Sequence, residues 1–270
     1  MFEIDPLLKP ILVGSVLGLL WVLEAMYPMF RVKGGRLRHD VSNIALGVLN
    51  AIVAGLLFTG LALTLTSWAV EHQFGLLNWL TLDPFAEMLL GLLIFDCWQY
   101  WWHRINHVVP FFWRFHAVHH SDAAMDASSA VRFHTVEILY SSIIRLLVLP
   151  LIGLNIEQLI VYELILLPII LFHHSNIAIP AQLDKVLRFF IVTPRIHWVH
   201  HSHIKQETNS NYSSLLSIWD RLFGSFRLRS DPQNIRFGLG DKFDKTPWGS
   251  LIGILKQPLN NSLYTKRPPE

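Results

Sequence analysis

The sequence predicts an all-α fold: a polytopic membrane helical bundle of about three spanning helices plus a short helical hairpin, with a helical cap on the cytoplasmic side. Three observations carry this. The 270 residues are 52% hydrophobic and 16% charged, with mean hydropathy +0.38, too apolar for an ordinary soluble domain. Five apolar segments stand out, at about 7–29, 43–70, 85–102, 138–153 and 156–172. Ten tryptophans fit anchoring at a membrane interface.

The first segment follows Glu3 and Asp5 and lacks a basic leader and a small-residue cleavage site, so it is expected to be a retained membrane helix. The first three segments are long enough to span a bilayer. The last two, about sixteen residues each and separated only by Gly153-Leu154-Asn155, read as a tight hairpin. Arg31, Lys33, Arg36 and Arg38 follow the first helix, whereas 71–84 hold no Lys or Arg. The excess of basic residues on cytoplasmic loops therefore puts the N-terminus outside and 31–42 inside. The same count returns the chain to the cytoplasm at His103 and again at His173. Three regions result: two transmembrane helices over 1–84, a histidine-rich region over 85–229 and a cytoplasmic tail over 230–270. In the soluble part, Thr193 and Pro194 mark a helix start, Ser213 to Phe223 a helix closed by Gly224, and 230–270 loop and tail.

The net charge of +2 leaves no electrostatic footprint for nucleic acid. A single cysteine, Cys97, excludes an internal disulfide and a multi-thiolate metal site. The anomaly is histidine. Five of the fourteen lie between His103 and His120, and burying so many unsatisfied ring nitrogens would be costly. They form HRINH (His103, His107) and HAVHH (His116, His119, His120); HWVHH (His197, His200, His201) follows later. On a helix, positions i, i+3 and i+4 share a face. Pro110 lets the chain turn back, so that two histidine faces can oppose each other. Eight imidazoles exceed the four ligands of one tetrahedral zinc, so two ions fit better. Imidazole suits iron, zinc, copper and nickel alike.

In sequence, HxxxH, HxxHH, HxxHH resembles the fatty acid hydroxylase/sterol desaturase superfamily of integral-membrane di-iron oxygenases. The resemblance runs from about Leu89 to Phe226 and includes "RFHTVE", "HHSNI", "TPRIHWVHHS" and "NYSSLLSIWDRLFGSF". It implies two non-haem irons, O2 as co-substrate and a two-electron donor, with the eight motif histidines as iron ligands. His134 and His174 are further expected ligands, and His173 a neighbour. The chain departs from the family in having Thr135 where proline is frequent. It also has Ile169 and Ile170 where some hydroxylases carry an extra histidine pair.

Asp96, seven residues before His103 inside an apolar helix, is expected to orient a histidine or, alternatively, to bond a Trp or Tyr near the interface; Glu137 and Asp122, beside the motifs, are also expected to orient histidines. Glu163 and Arg145 read as an ion pair or as site residues. His203 is expected at the surface or carrying protons, and His39 and His72 have no expected role. Asn211, Tyr212, Trp219 and Asp220 match family residues whose role stays open. The aromatic run Trp98, Tyr100, Trp101, Trp102, Phe111, Phe112 and Trp113 reads as an interfacial belt or an acyl channel.

The expected activity is hydroxylation of a lipid C–H bond, whether fatty acyl, sterol-like or polar lipid. The alternatives are a desaturase or an alkylglycerol-type ether monooxygenase on the same scaffold, or, in other classes, a zinc-dependent membrane hydrolase or a non-catalytic metal-binding protein. No cytochrome pattern and no Rossmann or flavin glycine motif is present, so a separate ferredoxin, cytochrome or flavoprotein reductase would supply electrons. A bacterial inner membrane is the expected location.

Overall fold

A computed structural model describes residues 7–31, 35–240, 243 and 250–264. Among the described residues there is no β-strand. Four helices are long and apolar enough to cross a membrane: α1 (Leu8–Met26), α2 (Arg36–Glu71), α5 (Thr135–Ile152) and α6 (Ile156–His174). The two hairpin arms, expected to be short, are thus 18 and 19 residues. α3 (Pro84–Val108), expected to span, is not among the four: its second half carries Asp96, His103, Arg104 and His107.

Local chemistry fixes each boundary. Asp83 caps α3, its carboxylate accepting from the backbone N–H of Phe85 and Ala86, with Pro84 in the first turn. Val109 is extended, as a residue before proline tends to be, and Pro110 opens α4 (Pro110–His120). α6 begins with a reciprocal capping box between Asn155 and Gln158. The α2–α3 connection and the α5–α6 turn meet at one end of the bundle, where Leu76 N–H donates to the Leu151 carbonyl (3.1 Å). Gly75 and Gly153 touch there, both at positive φ (103° and 83°). A Cβ on Gly75 would lie 2.2 Å from the Pro150 carbonyl oxygen. Leu77, Phe95, Leu149, Leu154 and Tyr162 form the core behind this contact.

α2, at 36 residues and about 54 Å, outruns a hydrocarbon layer of about 30 Å. Its first turns reach the opposite end of the bundle, where Asn43 and Asn50 bond the 122–133 segment. That end is completed by α7 (Ala181–Phe190), α8 (Pro194–His200), α9 (Lys205–Thr208), α10 (Ile218–Leu222), α11 (Leu251–Lys256) and α12 (Asn261–Tyr264).

Three expectations shift in detail. Thr193 does precede Pro194 at the start of α8, but its hydroxyl donates to Asp184 (2.7 Å) instead of capping the helix. The helix expected over 213–223 shrinks to α10, because the Asp220 carboxylate accepts from the Tyr212 and Ser213 N–H groups and holds 211–217 as a loop. The tail holds α11 and α12, and Ile254 is buried against Leu46 and Val118.

Candidate metal centre

α3, α4, α6 and α8 deliver nine histidines to one buried place, in two groups. His103, His107, His116, His120 and His200 form the first; His119, His174, His197 and His201 form the second. Within each group the ligand atoms lie within 4.8 Å of one another. Helix rotation explains the division. At about 100° per residue, i and i+4 diverge by only about 40°, whereas i+3 and i+4 diverge by about 100°. So His116 and His120 serve the first group and His119 the second. On α8 the roles invert: His197 and His201 serve the second group and His200 the first. Each HxxHH motif straddles both groups, and the stacked rings of His120 and His201 (4.4 Å) join them.

The outward ring nitrogens decide what the inward ones can do. Nδ1–H of His103 donates to the Tyr212 carbonyl (2.7 Å), that of His200 to the Ser210 carbonyl (2.6 Å) and that of His174 to the Ile170 carbonyl (2.8 Å). Nδ1–H of His116 donates to the Glu137 carboxylate (2.7 Å). These acceptors place the proton on Nδ1, so Nε2 carries a lone pair. Yet Nε2 of His103 lies 3.1 Å from Nε2 of both His116 and His200, with no proton between them. In the second group, Nε2 of His174 lies 3.1 Å from that of His119 and 3.0 Å from that of His197. Both ring nitrogens of His107 and of His120, and Nδ1 of His119, His197 and His201, are buried without a hydrogen-bond partner. Lone pairs converging in a dry site repel unless a cation lies among them. The donor set fits metal ions.

Burial pushes His119, His120, His197 and His201 well below the usual imidazole range, with mutual repulsion adding to it, and His200 down to about 3. The neutral, ligating form is thereby favoured.

Of the other expected site residues, Glu137 accepts from the Nδ1–H of a histidine, His116. Asp96 does not. Its carboxylate accepts from Tyr162 Oη (2.7 Å), Trp219 Nε1 (2.7 Å) and Leu216 N–H (3.1 Å), clamping α3 to α6 and to the start of α10. His134 is held elsewhere. It caps α5 through Nδ1, which accepts from Val136 N–H, while Nε2 bonds the Leu255 carbonyl (3.1 Å), and it stands apart from both groups. His173 lies beside His197 (ring centroids 4.0 Å) but outside both groups. Glu163 pairs with Arg145 (3.1 Å) and with Lys9. Asn211, at φ 54°, bonds the carbonyls of Ile196 and Arg227, and so braces the loop that supplies acceptors to His103 and His200.

Sequence reasoning missed His39. It bonds Asp122 (2.8 Å) and Asp40 (3.1 Å) and approaches Asp126 (3.4 Å), tying α2 to the segment after the HAVHH motif. Burial alone would raise the Asp122 carboxyl; His39 and Arg132 outweigh it and hold it well below the usual range. No spacing signal links residues 83 positions apart.

Fold and site together define a helical membrane protein with two adjacent buried histidine groups that could hold metal ions. Residues 88–225 match the fatty acid hydroxylase family, and the chain belongs to it. It is 27% identical to the ornithine lipid hydroxylase OlsE of Rhizobium tropici over 95% of its own length and 78% of that protein. It is 27% identical to human alkylglycerol monooxygenase, over 81% of this chain and 46% of that one. Human cholesterol 25-hydroxylase is 25% identical over 54% of this chain and 53% of that one. The chain thus spans about half the length of these last two. No solved structure matches.

Proposed function

We propose that the protein is an O2-dependent di-iron membrane oxygenase that hydroxylates a C–H bond of a lipid, with the site at the cytoplasmic face of a bacterial inner membrane. The observation that carries this is the convergence of imidazole lone pairs into two adjacent groups with no proton to share. His103, His107, His116, His120 and His200 would hold one ion, and His119, His174, His197 and His201 the other. Five donors exceed what tetrahedral zinc takes. Nitrogens 3.0–3.1 Å apart also suit neighbouring ligands on a six-coordinate ion better than the wider edge, about 3.4 Å, of a tetrahedron with metal–nitrogen bonds of about 2.1 Å. Both points weigh against the zinc hydrolase reading.

Iron held there would, with O2 and two electrons, supply an oxidant able to put one oxygen atom into an unactivated C–H bond while the other leaves as water with two protons. The protein's part is positional. Glu137 and the carbonyls of Ile170, Ser210 and Tyr212 fix ring orientation, and the apolar shell around Met125, Trp198 and Val199 keeps water away. Hydroxylation is favoured over desaturation because the relatives are hydroxylases and monooxygenases. Electrons come from a separate ferredoxin, cytochrome or flavoprotein reductase.

The test is metal analysis of detergent-purified protein beside His119→Ala and His200→Ala. About two irons per chain, reduced in both variants, support the reading. Stoichiometric zinc from iron-replete cells, or metal indifferent to both changes, sinks it.

A further inference from the structure

α7 and α10 expose a row of large apolar side chains that the metal centre does not use. Leu183, Val186, Phe189 and Phe190 on α7 are 50–67% exposed, and Ile218 and Leu222 on α10 are 52% and 65% exposed. Positions 183, 186 and 190 follow helical spacing along one face. The row is held in place from behind. The buried Asp184 carboxylate accepts from Thr193 Oγ1 (2.7 Å) and Arg188 (2.8 Å), which fixes the rotation of α7. Ser217 Oγ donates to the Arg188 carbonyl and Arg221 donates to the same oxygen, both at 2.7 Å, joining the two helices.

The level of this row along the bundle follows from α3 and α6. α3 leaves the 71–84 end at Pro84, so Asp96 and Trp101 lie about 18 and 26 Å along it. Trp219 and Leu216 bond Asp96, and Phe223 packs on Tyr100 and Trp101 (5.0 and 4.9 Å). α6 runs about 28 Å from Ile156 to His174, and α7 begins seven residues later. For a hydrocarbon layer of about 30 Å starting at the 71–84 end, α10 would lie about 18–26 Å into it and α7 near its far boundary. Beside the row, Gln182, Lys185, Arg188 and Arg195 line an open cleft of about 340 Å³. Among the described residues, Lys185 and Arg195 have no carboxylate partner. Arg195 is two residues from His197, so a lipid head in the cleft would lie within acyl reach of the metal centre.

We infer that α7 and α10 lie in the membrane plane with this apolar row among the acyl chains, and that the Lys185–Arg188–Arg195 cleft binds the anionic headgroup of a bilayer lipid. The charge of the cleft and the level of the row favour this occupant over a second copy of the chain. As a substrate subsite the cleft rests on the lipid-oxygenase reading; as a lipid site it does not.

The test uses the full chain in lipid nanodiscs and needs no turnover. In a Cys97→Ser background, an environment-sensitive fluorophore is placed at Val186→Cys or Phe190→Cys, with Gln206→Cys as a solvent control. Lipids brominated on their acyl chains are expected to quench the first two and not the third. Quenching no greater than at 206 overturns the insertion, and a blue-shifted but unquenched signal assigns the face to a protein partner instead. Phosphatidylglycerol at low content in phosphatidylcholine is then scored by its enrichment around the protein. Lys185→Gln and Arg195→Gln should each lower that enrichment about fivefold, with iron content and melting temperature unchanged. Unchanged enrichment in both variants overturns the headgroup site, and so does full competition by inorganic phosphate. Iron content is read on the same samples, so failure of the oxygenase reading is scored separately.

Discussion

Glu137→Gln and Glu137→Ala should separate the two metal ions. Glu137 Oε1 accepts from His116 Nδ1 at 2.7 Å, a short charge-assisted bond, and both residues are buried. The other carboxylate oxygen has no hydrogen-bond partner, so the side chain has one polar task. Glutamine keeps an acceptor without the charge, and a neutral acceptor bonds about half as strongly. Alanine removes the acceptor and frees the His116 ring to turn or to carry its proton on Nε2. Loss of a partner behind a ligating histidine costs about 10–100-fold in metal affinity, or about 1.4–2.7 kcal/mol. Glutamine is expected near the lower figure and alanine near the upper. The loss should fall on the group containing His116, because Glu137 touches no histidine of the other. Anaerobic Fe(II) titration against a competing chelator, with Mössbauer spectra of the 57Fe-loaded protein, reads both. Alanine should take the protein from about two tightly held irons to about one. Equal loss of both ions in a folded Glu137→Gln protein, or no loss in Glu137→Ala, would refute the division into two groups.

Three further outcomes are expected. His134→Ala should keep its iron while losing about 1 kcal/mol with the α5 cap, seen as a lower melting temperature at unchanged metal content. Asp96→Ala leaves the Tyr162, Trp219 and Leu216 donors unsatisfied and should cost at least about 2 kcal/mol, again with iron per folded chain unchanged; a specific loss of iron would restore Asp96 to the site. Protons compete with metal only for imidazoles that can be protonated, and burial favours the neutral form here. Iron retention should therefore stay flat as pH falls from about 8 to about 5.5, whereas an exposed histidine site would start to release metal near the ordinary pKa of about 6.5.

The membrane helices were legible because their signal is local. Continuous apolar runs gave α1, α2 and the α5–α6 hairpin, and proline gave the α3–α4 break. What escaped was decided by contacts between distant segments. Thr193 looks like a helix cap by its position before Pro194, yet the buried Asp184 carboxylate takes its hydroxyl. Ser213 to Phe223 looks like one helix, yet Asp220 folds its first turns into a loop by accepting two backbone N–H groups. The tail looked featureless because α11 has six residues, too few to show a period; its place is set by the burial of Ile254 against Leu46 and Val118.

The histidine cluster was legible for a related reason, since spacing on a helix is also local. HxxxH and HxxHH put imidazoles on one face wherever the helix goes. Spacing alone puts the imidazoles of each motif on one face, whereas the structure divides each HxxHH between two groups. In HxxHH the first and last histidines stay within about 40° and the middle one swings away, so two such motifs facing each other make two sites that each borrow one ring from the other's helix. Each group then depends in part on the helix pairing that also holds the other. His119 and His200 would be the crossing ligands, since each sits on a helix whose other two histidines belong to the other group. Replacing either should weaken its own site directly and also loosen the helix pairing on which the neighbouring site depends. His107, whose motif serves one group only, lacks that second effect. The ratio of first-ion to second-ion loss should therefore be larger for His107→Ala than for His200→Ala, although both residues belong to the same group. Mössbauer integration of the two iron environments measures that ratio, and equal ratios would mean that the motifs act as independent ligand sets.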